Sequence, residues 1–210
     1  DNPITSDKAV RFPSLEAQVA DCADGIAYNA HDLDDGITSN LLDLGQLGRV
    51  ALWKENEKRF DEQYTGLDFK LKKYQVVRSI INEVISDFRQ ATWKNLKQYQ
   101  VGTVDDVRRA PIRIAAFGKE VSEKNKELKQ FLYKNMYYHR KVLRMEFKAE
   151  LTLEGIFKAY TKMPELLPES VQKDSKWGPR ERRICDYVSG MTDRYAINEH
   201  RNLYSADEGI

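Results

Sequence analysis

Apolar residues recur at intervals of three and four along almost the whole chain, which is the pattern of amphipathic α-helices. We find no alternating apolar and polar stretch of the kind that predicts a strand, and no internal repeat. The sequence therefore predicts an all-α fold. The predicted helices cover about residues 14–36, 67–96, 104–110, 119–138, 142–160 and 179–190, and residues 37–66 form a connector with a short helix around Trp53.

The first predicted helix has one apolar face and one acidic face. At about 100° per residue, Tyr28, Asp32, Asp35 and Asp21 all lie within about 80° of Asp24, and His31 lies beside them. The opposite side is apolar and is predicted to belong to the core. Its residues are Leu15, Val19, Cys22, Ile26 and Leu33.

Two interpretations of the acidic face are open. The ordinary interpretation is a solvated polar face. Such faces usually carry both acidic and basic residues, because like charges one turn apart destabilise a helix by roughly 0.2–0.5 kcal/mol per pair. Between Phe12 and Gly48 the sequence has no Lys or Arg. Clustered carboxylates with one histidine also suit a divalent cation, so the second interpretation is a metal-binding or ligand-binding face.

The net charge of the whole chain is near zero, but the two parts of the chain carry opposite charges. The 34 basic and 33 acidic residues give a net charge of +1, which excludes a globally basic nucleic-acid wrapper. Residues 1–48, however, hold nine acids and two bases, whereas residues 49–210 hold 32 bases and 24 acids. These segments carry −7 and +8. The first suits a cation, and the second offers basic groups to a polyanion.

Three segments of the sequence resemble, in order, a known enzyme family. The first is the helix Ser14-Leu-Glu-Ala-Gln-Val-Ala-Asp-Cys-Ala-Asp-Gly-Ile-Ala-Tyr-Asn-Ala-His-Asp-Leu-Asp-Asp-Gly36. The second is Phe131-Leu-Tyr-Lys-Asn-Met-Tyr-Tyr-His139, and the third is Asp186-Tyr-Val-Ser-Gly-Met-Thr-Asp-Arg-Tyr-Ala196. Together they resemble the deoxyguanosine-triphosphate triphosphohydrolase-like proteins, which are HD-superfamily dNTP triphosphohydrolases.

The resemblance implies a fold and a set of site residues. Residues 1–66 would end the HD catalytic domain, and residues 67–210 would form the phosphohydrolase-associated helical domain. Asp24 would be the last metal ligand, Tyr28 would pack against the deoxyribose, and Asp32 would accept a hydrogen bond from the sugar 3′-hydroxyl. Tyr137, in the second segment, is expected to contact the base or the sugar.

The same resemblance implies the chemistry. The substrate would be a deoxynucleoside triphosphate, the cofactor a divalent metal ion such as Mg²⁺ or Mn²⁺, and the products a deoxynucleoside and triphosphate. Homo-oligomers are implied as well. Two cysteines and no apolar run of membrane-spanning length favour a cytoplasmic protein without a membrane partner.

The sequence departs from the family pattern at two points. Gly25 stands where the family usually has a second Asp, and the upstream His and His-Asp ligands have no counterpart. We therefore expect the chain to be the C-terminal part of a larger enzyme or one piece of it, without a complete active site, and we assign no catalytic residue. The competing hypothesis is a non-catalytic helical module for assembly or for binding nucleotides or nucleic acid.

Basic clusters are the feature that supports this competing hypothesis. On helices such clusters are usually solvated faces, but they also suit a triphosphate, an allosteric nucleotide or single-stranded nucleic acid. The sequence spacing does not select among them. The clusters are Lys70 with Lys72 and Lys73, Arg108 with Arg109 and Arg113, Arg140 with Lys141, Arg144 and Lys148, and Arg180 with Arg182 and Arg183.

Overall fold

The computed structural model describes residues 11–64, 66, 68–173 and 178–205. Every regular element among these residues is helical, which confirms the all-α prediction. The helices are α1 (Leu15–Thr38), α2 (Leu44–Leu47), α3 (Ala51–Gln63), α4 (Phe69–Gln98), α5 (Val104–Arg109), α6 (Lys119–Leu132), a π-helical turn (Tyr133–Tyr137), α7 (Arg140–Lys162), a 3-10 turn (Pro164–Leu166), α8 (Glu169–Lys173), α9 (Arg180–Ser189) and α10 (Asp193–Tyr204).

The helix ends follow local sequence signals. Ser14 caps α1 by accepting a hydrogen bond from the backbone N–H of Ala17 at 3.5 Å. Thr103 and Asp106 form a reciprocal capping box at the start of α5. Gly190 caps the end of α9, as predicted.

Two details differ from the predicted helices. Gly36 does not end α1, which continues to Thr38; it is buried, and a Cβ there would lie only 2.6 Å from the Leu42 side chain. Gly36 therefore permits close packing. A further helix, α10, begins after Thr192, whose hydroxyl accepts from the N–H of Tyr195.

The chain divides into two compact units, one up to His139 and one from Arg140 onward. These units are defined by contacts within the fold. The boundary between residues 66 and 67 was predicted from the family resemblance instead, and it stays a prediction. The first unit packs α1, α3, α4 and α6 around one core. Its most buried side chains are Leu33, Leu47, Leu52, Trp53, Val76, Leu128 and Leu132.

The second unit has its own core between α7, α9 and α10. Ile156, Tyr160 and Ile184 are fully buried there. The Tyr160 hydroxyl donates to Glu199 at 2.5 Å, so its polar atom is satisfied inside the core. Among the described residues, no helix combines the length and the apolar character that crossing a bilayer requires.

Candidate functional site

A cleft of about 650 Å³ opens between α1, α6 and the π-helical turn. All four residues singled out in the sequence line it, so the structure brings Asp24, Tyr28, Asp32 and Tyr137 together. The other lining residues are Asp21, Cys22, Gly25, Asn29, Phe117, Asn125, Lys129, Leu132 and Tyr133. We call this space the α1–α6 cleft.

The acidic face of α1 forms one wall of the cleft. Asp24, Tyr28 and Asp32 follow one another at single-turn spacing, so one helix face presents all three side chains in line. Tyr28 is 61% exposed, and its ring is a free aromatic surface on the cleft wall. The apolar face behind them is anchored in the core through Ile26 and Leu33.

The π-helical turn positions the opposite wall. The backbone N–H of Tyr138 donates to the carbonyl of Tyr133 at 3.2 Å, five residues earlier, which widens the helix at this point. Tyr137 follows on this turn, and its hydroxyl donates to Oδ2 of Asp32 at 2.6 Å. This hydrogen bond joins α1 to a segment 105 residues later in the chain.

The hydrogen bond from Tyr137 to Asp32 changes the acidity of the phenol. The pKa of Tyr137 is raised to about 12. The hydrogen bond to the Asp32 carboxylate is the largest cause of this rise, and burial and the negative charge of Asp32 add to it. The phenol is therefore a stable donor at neutral pH. The bond occupies Oδ2 of Asp32, and Oδ1 stays available to a hydroxyl group of a ligand.

We expect Asp32→Asn to bring the pKa of Tyr137 from about 12 towards the ordinary value near 10. Because the folded pKa is raised, the stabilisation from this bond is fully present below about pH 10 and disappears as the pH rises through 12. Absorbance titration of the phenolate, taken as the difference from Tyr137→Phe, isolates this group among 11 tyrosines. An identical titration in Asp32→Asn would contradict the assigned cause.

Asp24 is the exposed carboxylate at the centre of the face. Among the described residues, no hydrogen bond or ion pair reaches its side chain. A free carboxylate suits a hard divalent cation, so Asp24 fits the role of one metal ligand. Within the described parts of the chain, no group of three or more His, Cys, Asp or Glu side chains is placed to hold a metal ion. The described residues thus offer no complete set of metal ligands.

The acids of α1 are offset by bases from elsewhere in the fold, which the sequence of the helix alone does not reveal. Arg113, in the loop before α6, pairs with Asp21 at 2.5 Å. Lys73 of α4 is buried and pairs with Asp34 at 2.7 Å. Asp24 and Asp32 are left facing the cleft.

Two residues expected in the core lie elsewhere. Val19 is 37% exposed. Cys22 is half-buried and lines the cleft, and burial raises the pKa of its thiol while the nearby Arg113 opposes the rise. Both lie at the edges of the apolar face of α1. Gly25 also lines the cleft, and a Cβ there would meet nothing within 4 Å, so close packing does not explain this glycine.

Lys129 is a cleft residue that the sequence analysis missed. It is exposed on α6 and, among the described residues that line the cleft, it is the one with a basic side chain. Lys129 lies four residues before Tyr133 and eight before Tyr137. Residues at this spacing lie near one face of a helix, so the sequence could have placed Lys129 beside these tyrosines. Asn29 and Asn125 also face each other across the cleft, with an amide hydrogen bond of 2.9 Å.

Among the described residues, no member of the predicted basic clusters lines the cleft, although Arg113 pairs with Asp21, which does line it. Several are engaged in ion pairs or hydrogen bonds of the fold: Lys72 pairs with Glu57 and Asp61, and Arg182 pairs with Asp186. Arg183 donates to the backbone carbonyl of Gln172 at 2.6 Å. These contacts favour structural roles.

Comparison with known proteins agrees with the helical fold. Residues 115–202 match the model of the phosphohydrolase-associated domain, HD_assoc. This region contains α6, the π-helical turn with Tyr137, and the core helices of the second unit. The chain therefore contains the helical domain that is associated with phosphohydrolases.

The similarity extends beyond that domain. The chain is 43% identical to the deoxyguanosinetriphosphate triphosphohydrolase-like protein of Geobacter sulfurreducens over 198 residues, which are 94% of this chain and 51% of the relative. The protein of the same name from Thiobacillus denitrificans is 42% identical, over 93% of this chain and 52% of the relative. The resemblance is thus confirmed: the chain is a relative of these proteins and spans about half of their length.

Proposed function

We propose that the α1–α6 cleft is the nucleotide site of a metal-dependent dNTP triphosphohydrolase, to which this chain contributes the sugar contacts and one metal ligand. The observation that carries the proposal is the convergence of Asp24, Tyr28, Asp32 and Tyr137 on one cleft. Its volume of about 650 Å³ lies within the range of roughly 300–1,000 Å³ that small-molecule sites occupy. The printed names of the relatives support the substrate class.

The sugar is held between the two walls. The exposed ring of Tyr28 offers an apolar surface against the deoxyribose, and a ring pressed on the sugar leaves little room for a 2′-hydroxyl. Asp32 accepts from the 3′-hydroxyl through the oxygen that Tyr137 does not occupy. The phenol of Tyr137 therefore fixes the direction of the Asp32 carboxylate and contacts the sugar or base itself.

Lys129 and Asp24 are the groups of the cleft that suit the phosphates and their metal ion. A lysine ammonium is a point charge suited to a phosphate, and Asp24 provides a carboxylate for a divalent ion. A divalent metal held in part by Asp24 would supply Lewis-acid polarisation of a phosphoryl oxygen and would activate a water molecule for hydrolysis at the α-phosphorus. Because this chain contributes one ligand, we expect the remaining ligands, the upstream His and His-Asp groups, to come from the half of the relatives that has no match here.

A chimaera tests the function directly. In it, this chain replaces the matching half of the Geobacter sulfurreducens relative, and the relative supplies the rest. With Mg²⁺ or Mn²⁺ we expect the chimaera to convert a dNTP to a deoxynucleoside and triphosphate, separated by ion-exchange chromatography. A folded chimaera that gives only dNMP and pyrophosphate, or no turnover, would disprove the proposal.

We expect Lys129→Gln to weaken the binding of phosphate groups selectively. Loss of one charge-assisted hydrogen bond of about 1.5–3 kcal/mol predicts a rise of about 10-fold to 150-fold in KM for dGTP and in the inhibition constant of inorganic triphosphate. Inhibition by deoxyguanosine should be unchanged, since it has no phosphate. Lys126→Gln, on the same helix but outside the cleft, is the matched control. An equal loss for deoxyguanosine would remove Lys129 from the phosphate role.

The competing hypothesis, a helical module for assembly or nucleic-acid binding, stays a prediction, as do a homo-oligomeric state and an allosteric nucleotide. It predicts that the chain binds single-stranded DNA with an affinity that falls steeply with salt and without metal uptake. The ion pairs of Lys72 and Arg182 within the fold weigh against it. Metal-dependent dGTP binding with no salt-sensitive DNA binding would reject it.

A further inference from the structure

The first part of α7 carries an apolar stripe on the protein surface. None of the first sixteen residues of this helix is buried, whereas Ile156 and Tyr160, further along it, are fully buried in the core of the second unit. Leu143, Phe147 and Leu151 follow one another at intervals of four residues, and they are 41%, 58% and 50% exposed. We call these three residues the α7 stripe.

The stripe faces away from the core of its own unit. At about 100° per residue, it lies about 160° around α7 from the direction of Ile156 and Tyr160. The helices that pack on α7 in this unit, α9 and α10, form the core with those two residues. Scattered apolar residues on a surface are ordinary, but apolar residues that recur along one helix face form the seam through which helices associate. The α7 stripe is therefore an apolar face that the core of the second unit does not use.

Opposite charges stand at the two ends of the stripe. Arg140 precedes Leu143 by three residues, and Glu154 follows Leu151 by three. With Phe147 in the middle, the intervals are three, four, four and three, and all five side chains lie within about 80° of one another around the helix. The spacing is thus the same in both directions from Phe147, while the charge changes sign.

Charged residues also flank the stripe. Arg144 and Glu150 each lie three residues from its centre, about 60° to either side. Among the described residues, no hydrogen bond or ion pair reaches the side chains of Arg140, Arg144 or Glu150. Glu154 pairs with Lys158 of the same helix at 2.5 Å through Oε2, and Oε1 stays available to another base. The charges around the stripe can therefore serve a contact outside the helix.

The symmetric spacing fits a second copy of the chain. In a two-fold contact between identical chains, a residue i contacts j of the other copy, and j contacts i in return. When a second α7 is turned antiparallel about Phe147, Leu143 of each copy faces Leu151 of the other, on both sides of the two phenylalanine rings. We infer that the α7 stripe is a dimerisation surface, on which the same stripe of a second copy packs in the antiparallel direction.

Charge selects the antiparallel direction. In this arrangement Arg140 meets Glu154 of the other copy and Arg144 meets Glu150, and each pair forms twice. A parallel pair in register would place each charged residue beside its own equivalent, and like charges across an interface repel. An unrelated partner would not require residues spaced symmetrically about Phe147. The pattern therefore selects a second copy as the occupant, and this inference does not rest on the proposed function.

Analytical ultracentrifugation of the chain tests the dimer. A single pair of helices is smaller than a standard interface, so we expect a reversible monomer–dimer equilibrium between about 1 and 200 µM. Phe147→Glu should raise the dissociation constant at least about 100-fold, because the centre of the interface loses two rings and gains two carboxylates. The circular dichroism of the helices should not change, since Phe147 is 58% exposed. Lys148→Glu, about 100° away around α7, is the matched control and should stay within about threefold of the parent.

Charge reversal tests the pairing of Arg144 with Glu150. Arg144→Glu and Glu150→Arg should each weaken the dimer about 10-fold, because each places like charges opposite one another at two positions. The double variant restores opposite charges and should return to within about threefold of the parent. An equimolar mixture of the two single variants should form heterodimers with nearly the parent affinity.

Cysteine cross-linking tests the direction. After oxidation, a mixture of Leu143→Cys and Leu151→Cys should form a disulfide between the two introduced thiols, identified by mass spectrometry of the linked peptides. Leu143→Cys alone should not link to itself. In an antiparallel pair its two copies lie about 12 Å apart along the helices, whereas a disulfide joins Cα atoms about 4.4–6.8 Å apart.

Three results would overturn the inference. They are a chain that remains a monomer up to about 200 µM, a dimer that is indifferent to Phe147→Glu, and a Leu143→Cys variant that links to itself. These outcomes are separate from catalysis. A chimaera that turns over dNTP as a monomer would retain the proposed function and reject the α7 dimer, and an inactive chimaera that dimerises through α7 would do the reverse.

Discussion

Asp24→Ala should reduce the turnover of dNTP by the chimaera at least about 1,000-fold. A bound metal contributes several kcal/mol to a phosphoryl-transfer transition state, and each 1.4 kcal/mol is a factor of ten in rate. Asp24 is the carboxylate of the cleft for which the described residues offer no partner, so its removal leaves the fold intact. We therefore expect the loss to appear in kcat and in bound metal, measured by atomic emission, and not in the melting temperature.

Asp35→Ala is the matched control for this prediction. Asp35 lies on the same helix, is exposed and does not line the cleft. Its replacement therefore removes one negative charge near the cleft without changing a residue that lines it. Turnover and metal content should stay within about twofold of the parent. If Asp24→Ala retained turnover with normal metal content, the ligand would have to be assigned elsewhere.

Gln18→Ala should lower the free energy of unfolding by about 3 kcal/mol, because it would leave buried backbone groups without partners. Gln18 is fully buried, and its Oε1 accepts from the N–H groups of Ile114 and Ala115 at 3.0 and 3.1 Å. Its Nε2 donates to the carbonyl of Pro13 at 2.9 Å. The side chain thus ties the start of α1 to the loop that leads into α6.

Urea denaturation of the isolated chain measures this effect. Gln130→Ala, an exposed glutamine on α6, should change the free energy of unfolding by no more than about 0.5 kcal/mol. A similar small change in Gln18→Ala would mean that water satisfies the two N–H groups. Because the loop adjoins Phe117 on the cleft wall, we also expect the variant to widen the cleft and weaken dGTP binding.

The sequence was informative wherever a pattern is local. Helical periodicity predicted α1 with Asp24, Tyr28 and Asp32 on one face, and cap residues predicted α5 and the start of α9. The assignment of Tyr137 depended on the family resemblance. Nothing in the spacing shows that a phenol 105 residues away reaches Asp32.

Contacts between elements account for what the sequence did not predict. The pairing of Arg113 with Asp21 and of Lys73 with Asp34 arises from helix packing, so the acidic face appeared uncompensated in the sequence alone. Lys129 was overlooked because it belongs to no basic cluster. Val19 fits the apolar stripe of α1, but whether a stripe residue is covered depends on neighbouring helices, and here one side of α1 is open.

The π-helical turn makes the site sensitive to the number of residues that precede Tyr137. A π turn accommodates one more residue than an α turn, and one residue corresponds to about 100° of rotation. With the same number of residues between Tyr133 and Tyr137, α-helical winding would turn the phenol away from Asp32, so the π-helical turn is what brings it to the carboxylate. A one-residue insertion or deletion at this turn would therefore have to be matched by a change in helical winding for the phenol to reach Asp32.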